Sequence, residues 1–184
     1  MDRMEIGGVG IDVWRRGAGR PVLFLHPGDG FDECDPFLTA LAAHYDVIAP
    51  WHPGFGHSDL PKGWNSVDDL AYFYLDFIQQ MGLENVHVVG QSLGGWIALE
   101  VAVRSTQSMA SLTLVGSAGI RIKGMPAADI FMMDPEEMTR ALLVDENIIK
   151  SMLAMELTEE QEDIQIRNKV STARMAWQPR LFNP

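Results

Sequence analysis

Ser92 sits in Gly90-Gln91-Ser92-Leu93-Gly94, with a glycine two residues away on either side. A serine hydroxyl attacks an acyl carbon when it is presented clear of the backbone and given a base to take its proton. The Gly-x-Ser-x-Gly spacing meets the first need. An apolar run, Val86-His87-Val88-Val89, precedes it, and a helix-like run, Gly95 to Ala102, follows. A serine at so sharp a strand-to-helix turn adopts strained dihedrals, and the turn closes only if its close neighbours lack side chains. The second need is not met downstream, because no histidine follows Ser92.

His26-Pro27-Gly28-Asp29-Gly30 follows another apolar run, Pro21 to Leu25. In an acyl-transfer site a loop here supplies a backbone N–H to the oxyanion, from Gly28 or Asp29, and the Leu93 N–H supplies the second. Gln91 and Trp96, beside the serine, are candidates for substrate binding. The plainer readings are an inert serine in a glycine-rich turn and an ordinary strand-helix loop. Pro50 to Asp59 is dense in proline and glycine and reads as a compact framework loop at a strand's C-terminal end, where α/β proteins place their sites. Its His52 and His57 belong to that framework. His26 reads as a loop-holding hydrogen bonder and His87 as a satisfied core side chain. Five histidines and one cysteine, without acidic partners at suitable spacing, give no metal signature, and no cofactor is expected.

The elements that would position these residues alternate strand and helix. A hairpin closes around Gly7-Gly8. Strands follow at Pro21 to Leu25, Asp46 to Pro50, Val86 to Val89 and Leu112 to Val115. Helices are expected at Pro36 to Ala43, Val67 to Met81 and Gly95 to Val103. Ser66 opens the second of these with a capping box in which Asp69 takes the Glu position. Leu70, Phe73, Tyr74, Phe77 and Ile78 share one face of it, and Gly82 ends it. Such alternation implies a mainly parallel sheet with helices on both faces. After Gly119 the texture turns helical. One amphipathic helix is suggested by Ile148, Ile149, Met152, Leu153 and Met155, and another by Ile164, Ile166, Val170 and Ala173. The division is therefore 1–120 for a core and 121–184 for a helical segment. Its methionines, at 125, 132, 133, 138, 152 and 155, serve either as a pliable lining or as ordinary core.

The net charge of -11 argues against nucleic acid and anionic lipid as partners, both of which need basic patches. No apolar run approaches the roughly 18 residues of a membrane span. The first residues lack a signal peptide's apolar stretch, and Cys34 is the only cysteine. Cytoplasmic placement is the expectation.

These segments, in this order, resemble the α/β-hydrolase superfamily, in its cap-bearing branch with a serine nucleophile. Pro21 to Gly30 is similar to the family's oxyanion-loop strand, with Pro27 where glycine is usual. Val47 to Asp59 is similar to its Pro-Gly-x-Gly-x-Ser loop, with Trp51 where aspartate is common. Gly90 to Gly94 matches the elbow. The resemblance implies an α/β-hydrolase fold with a helical cap from about residue 121. It implies hydrolysis of an ester-like or C–C bond in a small, fairly apolar substrate, with Ser92 as nucleophile. It further implies that the last strands, the catalytic acid and the histidine lie outside these 184 residues, so the chain alone is weak or inactive. The Leu112 to Val115 strand would then be an exposed apolar edge, open to self-association or to a complementing chain. The rival reading is a non-catalytic member that uses the fold as a scaffold.

Overall fold

The computed structural model describes residues 1–124 and 128–177. Six strands form one sheet in the order β1-β2-β4-β3-β5-β6. β1 (Asp2–Ile6) and β2 (Val9–Arg16) make the hairpin around Gly7 and Gly8, both at positive φ. β2 then pairs antiparallel with β4 (Asp46–Pro50). The remaining pairings, of β3 (Pro21–Leu25) with β4 and β5 (Val86–Gln91), and of β5 with β6 (Met109–Val115), are parallel. The mainly parallel sheet expected from the alternation is therefore present, with an antiparallel hairpin added at one edge.

The apolar runs of β3 and β4 are buried because both sheet faces are covered there. On one face α1 (Pro36–Ala42) sets Leu38 against Val22, Phe24, Val47 and Ala49. On the other, α2 (Val67–Gln80) and α3 (Leu93–Arg104) bury Leu70, Tyr74, Phe77, Ile97 and Val101 against Leu23, Leu25, Ile48 and Val88. The capping box at Ser66 and Asp69 forms as its spacing predicts. The Ser66 hydroxyl accepts from the Asp69 amide, and the Asp69 carboxylate accepts from the Ser66 amide.

The chain leaves β3 toward β4 on one side and leaves β5 toward β6 on the other. Adjacent parallel strands whose connections part in this way open a crevice at their C-terminal ends. The register pairs Leu25 with Gly90, so the loop after β3 and the turn after β5 emerge side by side.

Beyond β6 two groupings of contacts are found. Residues 121–163 form one unit, containing α4 (Pro135–Leu142) and α5 (Glu146–Leu153). From Ile164 onward, α6 (Glu159–Ala176) belongs with residues 1–120. This differs from the sequence expectation, which grouped all of 121–184 together. The face of α6 differs as well. Ile166 and Val170 are exposed, whereas Asn168, Ser171 and Thr172 are buried with Met175. The polar stripe turns inward because loop carbonyls await it. Of the methionines, Met132, Met152 and Met155 are exposed, and Met125 lies outside the described residues.

Candidate active site

Ser92 is the hinge between β5 and α3. Its φ of 50° and ψ of -113° place it where side chains are rarely found, at a cost of about 1–3 kcal/mol. The surroundings fix it there. Its amide donates to the Val115 carbonyl at 2.9 Å, and its own carbonyl accepts from Gly95 at 3.0 Å and Ala118 at 3.0 Å. The flanking glycines are needed sterically. A Cβ on Gly90 would lie 2.5 Å from the Gly94 carbonyl oxygen, one on Gly95 would lie 2.6 Å from Ser117 Oγ, and one on Gly94 would land on the Leu25 carbonyl. That last approach brings the start of α3 hard against the end of β3.

Two sets of backbone N–H groups flank this junction. Leu93 opens α3, so its N–H precedes the first intrahelical acceptor. In the loop after β3, Gly30 N–H donates to the Pro27 carbonyl at 3.0 Å, closing a tight turn. The Gly28 and Asp29 amides carry no hydrogen bond among the described residues. The loop carrying Gly28 and Asp29 and the turn carrying Ser92 and Leu93 thus leave neighbouring strands at the same end of the sheet. Pre-set, unbonded amides beside a strained hydroxyl can hold developing negative charge on an acyl oxygen.

Gln91 is exposed at the end of β5. Trp96 is half-buried, and its Nε1 donates to Glu100 at 3.2 Å. A Cβ on Gly119 would lie 2.4 Å or a little more from the Trp96 ring, so Trp96 packs beneath the segment after β6.

The histidines divide clearly. His26 and His52 are fully buried and stack with ring centroids 3.6 Å apart. The His52 amide donates to His26 Nε2 at 2.9 Å, and His26 Nδ1 donates to the Pro27 carbonyl at 2.6 Å. His52 Nε2 donates to the His26 carbonyl at 2.9 Å, and the Tyr74 hydroxyl donates to His52 Nδ1. These partners assign one neutral tautomer to each ring. Burial pushes His26 well below the usual imidazole range, with His52 adding to the effect, and pushes His52 down to about 4. Burial pushes the Tyr74 hydroxyl up. Both rings have spent every nitrogen on the framework, so neither is a base for Ser92. His87 corrects the expectation of a core side chain. It is half-buried on β5, bonds Ser111 Oγ at 2.7 Å across the β5–β6 pair, and meets the Tyr45 ring edge-on.

Sequence reasoning missed the brace supplied by α6. Thr172 Oγ1 donates to the Gly28 carbonyl at 3.1 Å, and Asn168 Nδ2 donates to the Asp29 carbonyl at 2.8 Å. Asn168 Oδ1 accepts from the Gly56 amide at 2.9 Å. Ser171 Oγ donates to the Gly54 carbonyl at 2.6 Å, and Arg167 to the Ser58 carbonyl at 2.7 Å. The available signal was Asn168, Ser171 and Thr172 at helical spacing, a stripe that also reads as a solvated face. It missed the Tyr74 partner too, which looks like one more core aromatic on α2. Among the described residues no group of three or more His, Cys, Asp or Glu can hold a metal ion, and no helix is long and apolar enough to cross a membrane.

Comparison with known proteins bears on the fold and the family. The family described as alpha/beta hydrolase fold matches residues 20–158. The chain is 34% identical over 117 residues to the dihydrolipoyllysine-residue acetyltransferase component of the acetoin cleaving system of Cupriavidus necator, covering 62% of this chain and 31% of that protein. It is 34% identical over 125 residues to 2-hydroxy-6-oxo-6-(2'-aminophenyl)hexa-2,4-dienoic acid hydrolase of Metapseudomonas resinovorans, covering 65% of this chain and 43% of that one. Among solved structures, a serine hydrolase involved in carbazole degradation superposes with a TM-score of 0.63 at 25% identity, covering 92% of this chain and 68% of that one. The chain thus spans less than half the length of these curated relatives. With the family matched over most of its residues and the strand order and elbow in place, this chain belongs to the α/β-hydrolase family.

Proposed function

We propose that the chain carries the nucleophile and oxyanion site of a serine hydrolase acting on an ester-like or C–C bond of a small, fairly apolar substrate. The observation that carries this reading is Ser92 held at φ 50° on the strand-helix turn, which leaves β5 next to the β3 loop that carries the Gly28 and Asp29 amides. In the ester case Ser92 Oγ bonds to the carbonyl carbon as its proton passes to a base. The oxyanion sits on the amides, and the C–O bond to the leaving alcohol then breaks as the alcohol takes up a proton. Water repeats the sequence on the acyl-serine. Hydrolase activity in relatives such as the Metapseudomonas enzyme supports the reaction class.

Neither buried histidine can serve as that base. No histidine follows Ser92, and the two buried histidines are committed elsewhere. The chain by itself is therefore a slow acylation catalyst at best, retaining the contribution of amides and binding. The commitment of His26 and His52 to the framework supports a second reading, in which the fold acts as a non-catalytic scaffold.

Exogenous base separates the two. The chain is incubated with p-nitrophenyl acetate, with and without imidazole, beside Ser92→Ala. The hydrolase reading expects an acetyl group mapped to Ser92 and imidazole-dependent release of p-nitrophenol above the variant. Equal release from the two proteins, with no adduct, leaves the scaffold.

A further inference from the structure

The inward stripe of α6 has a consequence for the loop it touches. A helix face that buries Asn168, Ser171 and Thr172 is costly unless each polar group is matched. Here each is matched to loop backbone, and two of the acceptors are the consecutive carbonyls of Gly28 and Asp29. A trans peptide points its carbonyl and its following N–H in opposite directions. Holding the Gly28 carbonyl on Thr172 therefore fixes the heading of the Asp29 N–H. The peptide before it is held separately, since the Pro27 carbonyl accepts from both Gly30 and His26, which fixes the heading of the Gly28 N–H. Contact is close as well. A Cβ on Gly28 would lie 2.8 Å from Thr172 Oγ1, so the loop has no slack against the helix. Asn168 joins the same loop to the Gly54–Ser58 loop by using its amide at both ends.

We infer that Thr172 and Asn168 are positioning residues: Thr172 sets the Asp29 amide through the Gly28 carbonyl of the same peptide, and Asn168 holds the next peptide, whose Gly30 amide closes the turn on Pro27 that fixes the Gly28 amide. The inference rests on the reading of those amides as oxyanion donors and adds what aims them. Neither side chain touches the reacting atoms. Their effect is on turnover, because a donor displaced by a fraction of an ångström serves the developing oxyanion worse while leaving ground-state binding nearly unchanged.

The test uses the chain with imidazole as base and p-nitrophenyl acetate as probe. Thr172→Val is nearly isosteric and removes only the hydroxyl donor, Thr172→Ser keeps it, and Asn168→Ala removes both of its bonds. The limiting rate of Ser92 acetylation is expected to fall about tenfold or more in Thr172→Val and Asn168→Ala, with little change in KM, and to recover in Thr172→Ser. Backbone amide relaxation by NMR, which needs no activity, is expected to show Gly28 and Asp29 becoming more mobile in the first two variants. If Thr172→Val lowers only the melting temperature, leaving the rate below melting and the two amides unchanged, the contact is structural packing and the inference is overturned. If wild type and Ser92→Ala acetylate equally slowly, the hydrolase reading itself has failed and the inference falls with it.

Discussion

The backbone amide of His52 donates to Nε2 of His26 at 2.9 Å, while the His52 ring returns a bond to the His26 carbonyl at 2.9 Å. This reciprocal pair ties the end of β4 to the end of β3, and so ties the Pro53–Ser58 loop to the loop that carries Gly28 and Asp29. Its function is architectural, and it works only while both rings are neutral. A proton on His26 Nε2 would face the His52 N–H, an obligatory donor, in place of the acceptor it needs, and one on His52 Nδ1 would force the buried Tyr74 hydroxyl to turn from donor to acceptor.

Stability should therefore fall in mild acid, before the carboxylates titrate. Both rings have folded-state values depressed below the ordinary 6.5, with His52 at about 4. The unfolded chain takes up protons first, so the stabilising contribution is complete above about pH 6.5 and is lost as pH falls toward 4. Between pH 6.5 and 5 the loss should be about 2 kcal/mol from His52, with His26 adding in the same direction. Urea melts at pH 7, 6 and 5 measure it. A flat profile over that range would show the pair to be solvated and free to charge.

Gly94 and Gly63 offer a contrast in what a methyl group costs. A Cβ on Gly94 would land on the Leu25 carbonyl and within 2.7 Å of the His26 carbonyl, both backbone atoms of a buried strand end. Gly63, at φ 92°, has nothing within 4 Å of its would-be Cβ. Gly94→Ala should therefore cost about 3 kcal/mol or more, since α3 or β3 must shift. Gly63→Ala should cost about 1 kcal/mol, from its dihedrals alone. Thermal melts of the two variants check the order, and equal costs would mean that the elbow is looser than its geometry says.

Much of this was legible in the chain itself. Val22 to Leu25 and Val47 to Ala49 declare buried parallel strands by unbroken apolarity, and Ser66 with Asp69 declares a helix start by local chemistry alone. The elbow was legible because its glycines answer a steric demand from residues a few positions away. What was not legible depends on partners distant in sequence. Tyr74 looks like any core aromatic until its hydroxyl is seen on His52. Val170 looks like core and Thr172 like surface until the loop carbonyls of Gly28 and Asp29 reverse their values. His87 looks buried because its strand is apolar, and its half-exposed bond to Ser111 depends on the register of β6, a partner distant in sequence.

The reversed face of α6 makes an unusual pair of expectations. Ile166→Ser and Val170→Ser remove apolar side chains that are already exposed, at 63% and 62%. Each should change stability by about 0.5 kcal/mol or less. Asn168→Leu is an increase in hydrophobicity at a buried site, yet it leaves the Asp29 carbonyl and the Gly56 amide without partners. That should cost about 2–4 kcal/mol. Chemical denaturation of the three variants reads the difference directly. Stabilisation by Asn168→Leu would restore the apolar face that the sequence pattern suggested.

The β6 edge is the remaining place where sequence and structure point to behaviour in solution. Among the described residues β6 pairs with β5 on one side and with no strand on the other. Val115 is 45% exposed there, and Ser111 and Thr113 are exposed beside it. An unpaired edge carrying β-branched residues and no charge is a template for a further strand. The chain should associate at high concentration, with two such edges meeting. A lysine on the exposed positions opposes that meeting by burying charge against charge. Thr113→Lys with Val115→Lys should therefore shift the protein toward monomer in sedimentation velocity, with little change in melting temperature. If the wild-type chain is already monomeric at high concentration, the edge is protected by its twist or by its flanking segments, and the lysines should then change nothing.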